Sequence, residues 1–557
     1  MNFKKPLILF ILLLVFFTNC NSQNITYENG VVSSAQELAS LVGIEILKNG
    51  GNAIDAAVGV GFTLAVVYPQ AGNIGGGGFM VIHFSDGRNT SIDYRERAPF
   101  VSTKDMYLDD SGNVVEGLST FGYLASGVPG SLAGMLYALE KYGSMNRDEV
   151  MKYAIEYAEK GFKINERFAG LLNIYQEEFA EFDGTSKIFS KEFNEGDLLI
   201  QTDLANTLKE IVVKGKDGFY KGWVADFIVQ EMLRKGGIIC YNDLLEYEPV
   251  ERNVISGTYR GYDIISMGPP SSGGICLIYL LNILENYDVR SKGYGSVENI
   301  QMITEAMRRV YADRSEYMGD MDFVNVPIEK LISKQYANER MSDYNENYAT
   351  MSIQIQPGNI NQKESDQTTH YSISDKFGNV VSVTTTLNSS FGSKVIIDGT
   401  GFFLNNEMDD FVSKPGVPNI YGLLGSEVNS IEPKKRMLSS MTPTIVLKNK
   451  KPFLIVGSPG GGRIITTVLQ TIVNVVDFDM DLKTAVDMPR FHHQWYPDEI
   501  QVENTLLDDI SEERLMNMGY NIRYINDFGR VDGIMFLEDG KVVGHSDRRG
   551  YGNALSF

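Results

Sequence analysis

Near the start of the chain the apolar positions keep a helical period. Leu38, Leu41, Val42, Ile44 and Leu47 recur every three or four residues, which predicts a helix with one buried face. Asn49-Gly50-Gly51 stops it, and Asn52 is placed to cap a second helix carrying Ile54, Ala57, Val58 and Leu64 up to Tyr68-Pro69. That second helix is apolar nearly all round, so it is expected to be buried. Phe79 to Phe84 and Thr90 to Tyr94 read as two short strands around Ser85-Asp86-Gly87. From about 130 to 320 the pattern is mostly helical, broken at turns such as Gly268-Pro269-Pro270-Ser271-Ser272-Gly273-Gly274. A polar stretch, about Gln354 to Gln367, follows, and no internal repeat is visible.

From Thr368 the period becomes two. Tyr371, Ile373, Val381 and Val383 alternate with polar residues, and Asp375 to Asn379 is turn-like. A hairpin centred near Phe377 sets Thr368 opposite Thr386, where cross-strand Cβ atoms lie roughly 5 Å apart. A slip of one residue would remove that pairing.

Composition narrows the function. The chain has 557 residues, 43% hydrophobic and 22% charged, as in an ordinary globular protein. Its net charge of −21 argues against nucleic acid or an anionic membrane as partner, because phosphate binding needs basic patches. The 55 glycines fall in clusters that read as tight turns. Residues 1–20 read as a targeting segment, with Lys4 and Lys5 ahead of an apolar run from Pro6 to Phe17. That run is shorter than the ~20 residues a spanning helix needs and suits a signal peptide. Cys20 stands where a bacterial lipoprotein would be cleaved and lipidated, but Asn19 departs from the usual small residue; lipidation and plain secretion both remain open. Export to the periplasm or cell envelope is expected.

Cys240 and Cys276 are too few for a disulfide framework and read as buried thiols. The five histidines show no HExxH spacing, and no CxxC exists, so a zinc site has little support. The adjacent His492 and His493 read as structural. The glycine run Gly75 to Gly78 lacks the Lys-Ser/Thr of a phosphate loop.

The candidate chemistry centres on Thr368. A threonine hydroxyl is a weak nucleophile without a base. If Thr368 attacks the carbonyl of Gln367, an N→O acyl shift and hydrolysis release its own α-amine. Such an amine has a pKa of about 7.7–8.0 and serves as a built-in general base. The scarcity of histidine fits that economy. Other residues are ambiguous on sequence alone. Arg95 in Arg95-Glu96-Arg97 also reads as a surface ion-pair network, and Glu407, Asp409 and Asp410 as a solvated acidic turn or a weak cation site. Gly457 to Gly462 also reads as a plain strand–helix turn, and Thr386 as an ordinary strand threonine.

Several ordered motifs carry a resemblance. Gly50 to Ala57, Asp93-Tyr94-Arg95-Glu96, Tyr311 to Tyr317, Thr368-Thr369-His370-Tyr371, Asn405 to Phe411, Leu438-Ser439-Ser440-Met441 and Gly457 to Gly461 resemble those of the γ-glutamyltranspeptidases, which are N-terminal-nucleophile hydrolases. The resemblance runs from about Val31 to the C-terminus. It implies an α+β fold, a four-layer αββα sandwich. It also implies self-cleavage between Gln367 and Thr368 into a large subunit, 21–367, and a small catalytic subunit, 368–557, which stay together as a heterodimer.

The resemblance further implies roles. Thr368 matches the nucleophile and Thr386 the threonine that tunes it. Gly460 and Gly461 match the oxyanion hole. Arg95 matches the residue that grips the substrate α-carboxylate, with Ser439 and Ser440 beside it. Asn388, Glu407 and Asp410 match the holders of the α-ammonium; glutamate at 407 stands where some members have glutamine, and is expected to strengthen ammonium binding. Pro415 to Tyr421 resembles a lid loop gated by Tyr421. Asp409 and His370 are left as supporting residues. The implied reaction is γ-glutamyl transfer or hydrolysis on glutathione and related amides, with amino acids or short peptides as acceptors and no metal or organic cofactor. The rivals are acylases with the same nucleophile, an enzyme of poly-γ-glutamate, and a non-catalytic surface lipoprotein.

Overall fold

The computed structural model describes residues 29–356, 367–414 and 426–557, with Gln367 described through its backbone alone. The targeting segment, Cys20 and the lid with Tyr421 lie outside the described residues. Strands β1 (Gly30–Ser34), β2 (Gly77–His83), β3 (Asn89–Asp93), β4 (Val250–Arg252), β5 (Ile255–Tyr259) and β6 (Tyr262–Ser266) precede Thr368. Strands β7 (Gln367–Asp375), β8 (Val380–Asn388), β9 (Thr444–Lys448), β10 (Lys451–Val456), β11 (Asp532–Phe536), β12 (Val542–Ser546) and β13 (Asn553–Ser556) follow or contain it. They form a seven-stranded sheet, β13-β1-β7-β8-β2-β3-β4, and a six-stranded sheet, β12-β11-β10-β9-β6-β5.

The two sheets pack face to face. Val31, Phe79, Val81 and Val380 of the first meet Ile265, Ile445, Leu447, Ile455 and Ile534 of the second. Each sheet's other face is covered by helices. Helices α1 (Glu37–Lys48) and α2 (Ala53–Val67) cover the first; α3 (Gly273–Leu284), α4 (Val297–Tyr317) and α5 (Arg463–Val476) cover the second. The αββα sandwich expected from the sequence is therefore present.

Sequence features account for these layers. Every residue of α2 is buried, as its all-round apolar character predicts. Asn52 accepts from the amides of Ile54 and Asp55, and the Asn52 amide donates to the Asp55 carboxylate, so the cap is complete. Burial of each Val- or Leu-sized side chain stabilises by about 1.5–3 kcal/mol, so α2 holds the sheet far more firmly than its helix propensity would.

Three expectations need correction. Leu41 keeps the helical period yet is exposed on the outer surface of α1. Strands β4, β5 and β6 interrupt the region read as mostly helical; they are short, and β5 alternates exposed Ser256 and Thr258 with half-buried Ile255 and Gly257, which hides it in the sequence. Cys276 is buried as expected, but Cys240 is only half-buried; neither forms a disulfide among the described residues. Among the described residues no helix is long and apolar enough to cross a membrane.

Candidate active site

Alternate residues of β7 face opposite ways. Tyr371 and Ile373 enter the core beneath α2. His370 and Ser372 face the second sheet, where Ser372 Oγ donates to the carbonyl of Asp532 at 2.8 Å. His370 is bound at Nδ1 to Thr384 Oγ1 (2.9 Å) and at Nε2 to Ser372 Oγ (3.0 Å). Burial, helped by the nearby Arg530 charge, pushes its pKa down to about 3, so it is neutral and serves as packing. The sheets approach closely here: a Cβ on Gly457 would stand 2.3 Å from the His370 ring. Thr368 lies on this same inward face, at the open end of the hairpin.

The hairpin register is the expected one from Val380–Ser374 to Thr385–Thr369. It then shifts, so that Asn388 stands opposite Gln367. The irregularity falls at Thr386 and Leu387, beside Thr368. The simple cross-strand pair of Thr368 with Thr386 is thus replaced by a bulge, a device that re-aims side chains next to functional sites. Thr386 Oγ1 accepts from the amide of Asn388 at 2.7 Å, and Asn388 takes a positive φ of 75°. Thr368 and Thr386 still line one pocket.

That pocket is small and polar. Arg95, Thr368, Thr386, Asn388, Glu407, Asp410, Ser439, Ser440 and Gly461 all line it. They come from both sides of Thr368: Arg95 follows β3, Glu407–Asp410 form a short 3-10 helix, and the serines lead into β9. Arg95 Nη1 lies 2.6 Å from Glu407 Oε2, and Nη2 donates to Asp410 Oδ2 at 2.5 Å. Nη2 and Nε also reach the carbonyls of Leu438 (3.0 Å) and Met437 (3.3 Å). The residues expected to divide between the two ends of a ligand are therefore in contact with one another. The free space between them is about 10 Å³.

The charges explain the protonation of this cluster. Although burial opposes its charge, Glu407, Asp410 and Glu96 hold Arg95 above the usual guanidinium range. Burial in turn raises all three carboxyls. Glu96 is pushed up to about 8, Glu407 well above its ordinary value, and Asp410 above its own. Arg95 opposes each rise, while the Glu96 and Asp410 charges add to that of Glu407.

Three contributors escaped sequence reasoning. Glu96 lies 3.5 Å from Arg95 Nη1, and a Cβ on Gly77 would stand 2.3 Å from its carboxylate. The Gly75 to Gly78 run thus makes room for a buried acid. Asn429 donates to the carbonyl of Asp410 (2.6 Å) and accepts from the amide of Leu438 (3.0 Å), tying the acidic turn to the serine segment. Arg314 donates to Ser272 Oγ (2.8 Å) and Ser440 Oγ (3.2 Å), which fixes that serine. Asp409 points away from the pocket and accepts from Ser119 Oγ at 2.6 Å. His492 and His493 are buried and bound to Thr466, Gln494 and Asp498, as structural histidines are.

Gly460 and Gly461 occupy the turn from β10 to α5, with φ of 129° and 56°. Their carbonyls accept from Arg463 and Ile464, but their amides donate to no backbone acceptor among the described residues. Two such amides at the N-terminus of a fourteen-residue helix form a donor pair suited to a developing oxyanion. Gly461 lines the small pocket; Gly460 lines a second, wider cleft of about 500 Å³. Thr368 lines both.

Comparison with known proteins agrees with this geometry. The chain is 49% identical over 526 residues to the glutathione hydrolase proenzyme of Escherichia coli strain K12, covering 94% of this chain and 90% of that one. The crystal structure of Helicobacter pylori gamma-glutamyltranspeptidase is 50% identical and matches with a TM-score of 0.58, over 58% of this chain and 94% of that one. A cephalosporin acylase from Bacillus halodurans, 26% identical, superposes with a TM-score of 0.86 over 96% of both chains. The pattern described as Gamma-glutamyltranspeptidase matches residues 39–557, nearly the whole chain, and to that family the chain belongs.

Proposed function

We propose that Thr368 first cuts the chain before itself and then carries γ-glutamyl transfer and hydrolysis on glutathione and other γ-glutamyl compounds. The observation that carries this reading is the convergence of Thr368, Arg95, Glu407, Asp410, Asn388, Ser439, Ser440 and Gly461 on one pocket. In the first stage Thr368 Oγ adds to the carbonyl carbon of Gln367. The C–N bond breaks, the nitrogen takes the hydroxyl proton, and an ester joins the two residues. Water hydrolyses the ester and leaves a free Thr368 amine.

In the second stage that amine takes the proton of Thr368 Oγ as it attacks the γ-carbonyl. The oxyanion faces the amides of Gly460 and Gly461. The amine returns its proton to the leaving nitrogen, which departs as cysteinylglycine in the glutathione case. Water, an amino acid or a short peptide then takes the γ-glutamyl group by the same steps reversed. Arg95, with Ser439 and Ser440, holds the α-carboxylate, while Asn388, Glu407 and Asp410 hold the α-ammonium. Because Arg95 is bound to Glu407 and Asp410, the head group enters by exchange: its carboxylate replaces theirs on Arg95, and its ammonium takes up the freed carboxylates.

The two products of self-cleavage, 21–367 and 368–557, would remain one body. Pairings β1–β7, β1–β13, β2–β8 and β6–β9 all join strands from opposite sides of the cut. We read residues 1–20 as the export signal that delivers the enzyme to the periplasm or cell envelope; cleavage before Cys20 would leave that residue to carry a tethering lipid, and cleavage after it would release the enzyme untethered.

A denaturing gel of wild type beside Thr368→Ala tests the first stage. Two fragments are expected for wild type, the smaller beginning at Thr368, and one intact chain for the variant. An uncut but active wild type would sink the mechanism. For the second stage, wild type should cleave a γ-glutamyl anilide at least about a hundredfold faster than a glutaryl anilide, which lacks the α-ammonium. Equal rates would favour an acylase.

A further inference from the structure

The wider cleft beside Thr368 is basic in a strongly acidic protein. Lys163, Arg167, Arg463, Arg530 and Arg549 line it against Asp527 alone. Most of those cations are engaged elsewhere. Arg549 is held by Glu503 (2.6 Å) and Asp547 (2.9 Å), Arg463 donates to Gln501 (2.9 Å), and Arg167 donates to the Arg549 carbonyl (2.8 Å).

Arg530 differs. Its Nη1 donates to Tyr68 Oη at 2.7 Å, but buried Nε and Nη2 have no hydrogen-bond partner among the described residues. The side chain is 11% exposed, and its nearest carboxylate, Asp532, stands 3.9 Å away. A second side chain in the same cleft has the complementary deficit. Gln70 is 8% exposed, and its Oε1 is buried with no hydrogen-bond partner. Buried guanidinium donors and a buried amide oxygen left unpaired are costly, and a ligand that satisfies both gains accordingly.

We propose that this cleft binds the leaving amine and the acceptor through their carboxylate, with Arg530 as the anchor and Gln70 Oε1 accepting an N–H of the same molecule. The inference rests on Thr368 being the nucleophile. It makes Arg530 the residue that sets the acceptor class: amino acids and short peptides with a free C-terminal carboxylate, rather than simple amines or capped peptides. The amine of such a ligand is aimed at the acyl carbonyl because its other end is fixed. Lining residues on the glycine side, Pro459 and Gly460, place the cleft at the oxyanion turn where that attack occurs.

The test compares two acceptors, glycylglycine and glycylglycinamide, at equal concentrations of unprotonated amine, with a γ-glutamyl anilide as donor. Each protein's transfer rate is divided by its own rate of anilide hydrolysis, so that a general loss of activity cancels. Wild type should prefer the free acid by about tenfold or more in kcat/KM. In Arg530→Gln the preference should fall to near one, and in Arg530→Lys, which keeps the charge but not the fork, to an intermediate value. A structural role would lower both acceptors equally and leave the ratio intact, which overturns the proposal. Equal use of both acceptors by wild type overturns it without any variant, so a variant that fails to fold cannot shield it. Absence of anilide hydrolysis in wild type would instead strike the γ-glutamyl reading itself.

Discussion

Thr368 stands between two cavities that are opposites. On one side is a pocket with about 10 Å³ free, where one arginine is pinned by three buried carboxyls. On the other is a cleft of about 500 Å³ lined by five cations and one acid. The first satisfies its charges internally and can admit only a ligand that replaces them in kind, a carboxylate for Arg95 and an ammonium for the acids. The second keeps guanidinium donors of Arg530 without hydrogen-bond partners among the described residues and leaves room for groups of varied shape. One side is therefore built for a fixed head group and the other for a variable tail, which is the asymmetry a group-transfer enzyme needs. On the proposed mechanism Thr368 belongs to both because it must pass the group from one partner to the next.

Removing the shared element should have the largest effect. Thr368→Ala is expected to lower turnover of a γ-glutamyl anilide by about four orders of magnitude or more, since the nucleophile and its base disappear together. Loss below tenfold would mean that the two cavities do not meet at this residue. Arg95→Ala should come next. Taking one partner from a buried ion cluster costs about 3–5 kcal/mol, and a loss of that size in transition-state binding is roughly two to four orders of magnitude in kcat/KM. Only the head-group side should feel it: the variant's residual transfer should keep the wild-type preference between acid and amide acceptors. A changed preference would show that the cavities are coupled rather than separate.

Much of this was legible in the sequence, for reasons that depend on distance along the chain. The hairpin was, because alternation and an Asp375 to Asn379 turn are local signals. The bulge was not, because a one-residue shift at Thr386 leaves no mark in composition. The identities of Arg95, Glu407 and Asp410 came from motifs, but their mutual contact did not. Arg95 and Asp410 lie 315 residues apart, and no periodicity reports such a pairing. Glu96 was hidden beside a conspicuous neighbour, and only the close approach of Gly77 reveals it as buried. Arg530 and Gln70 carry no motif at all; only an unpaired atom in a folded chain singles them out.

The smallest effect concerns Glu407, and it corrects the expectation that glutamate should simply bind an ammonium better than glutamine. Burial raises the Glu407 carboxyl well above its ordinary range and so favours its protonated form, which offers one donor and one acceptor, as glutamine does. An arriving ammonium favours the ionised form, so binding releases a proton. Apparent donor affinity should then rise with pH for as long as the unoccupied site keeps that proton. Glu407→Gln has no such proton to lose. Near neutral pH its kcat/KM for a γ-glutamyl anilide should lie within about threefold of wild type. Between pH 6 and 8 its KM should fall less steeply as pH rises, and the slope left over is shared by Glu96, whose pKa is pushed up to about 8, and the Thr368 amine. Parallel KM profiles for variant and wild type would mean that Glu407 is already ionised before the ligand arrives. The head-group pocket would then carry a net negative charge, and its contrast with the basic cleft would be one of sign as well as of size.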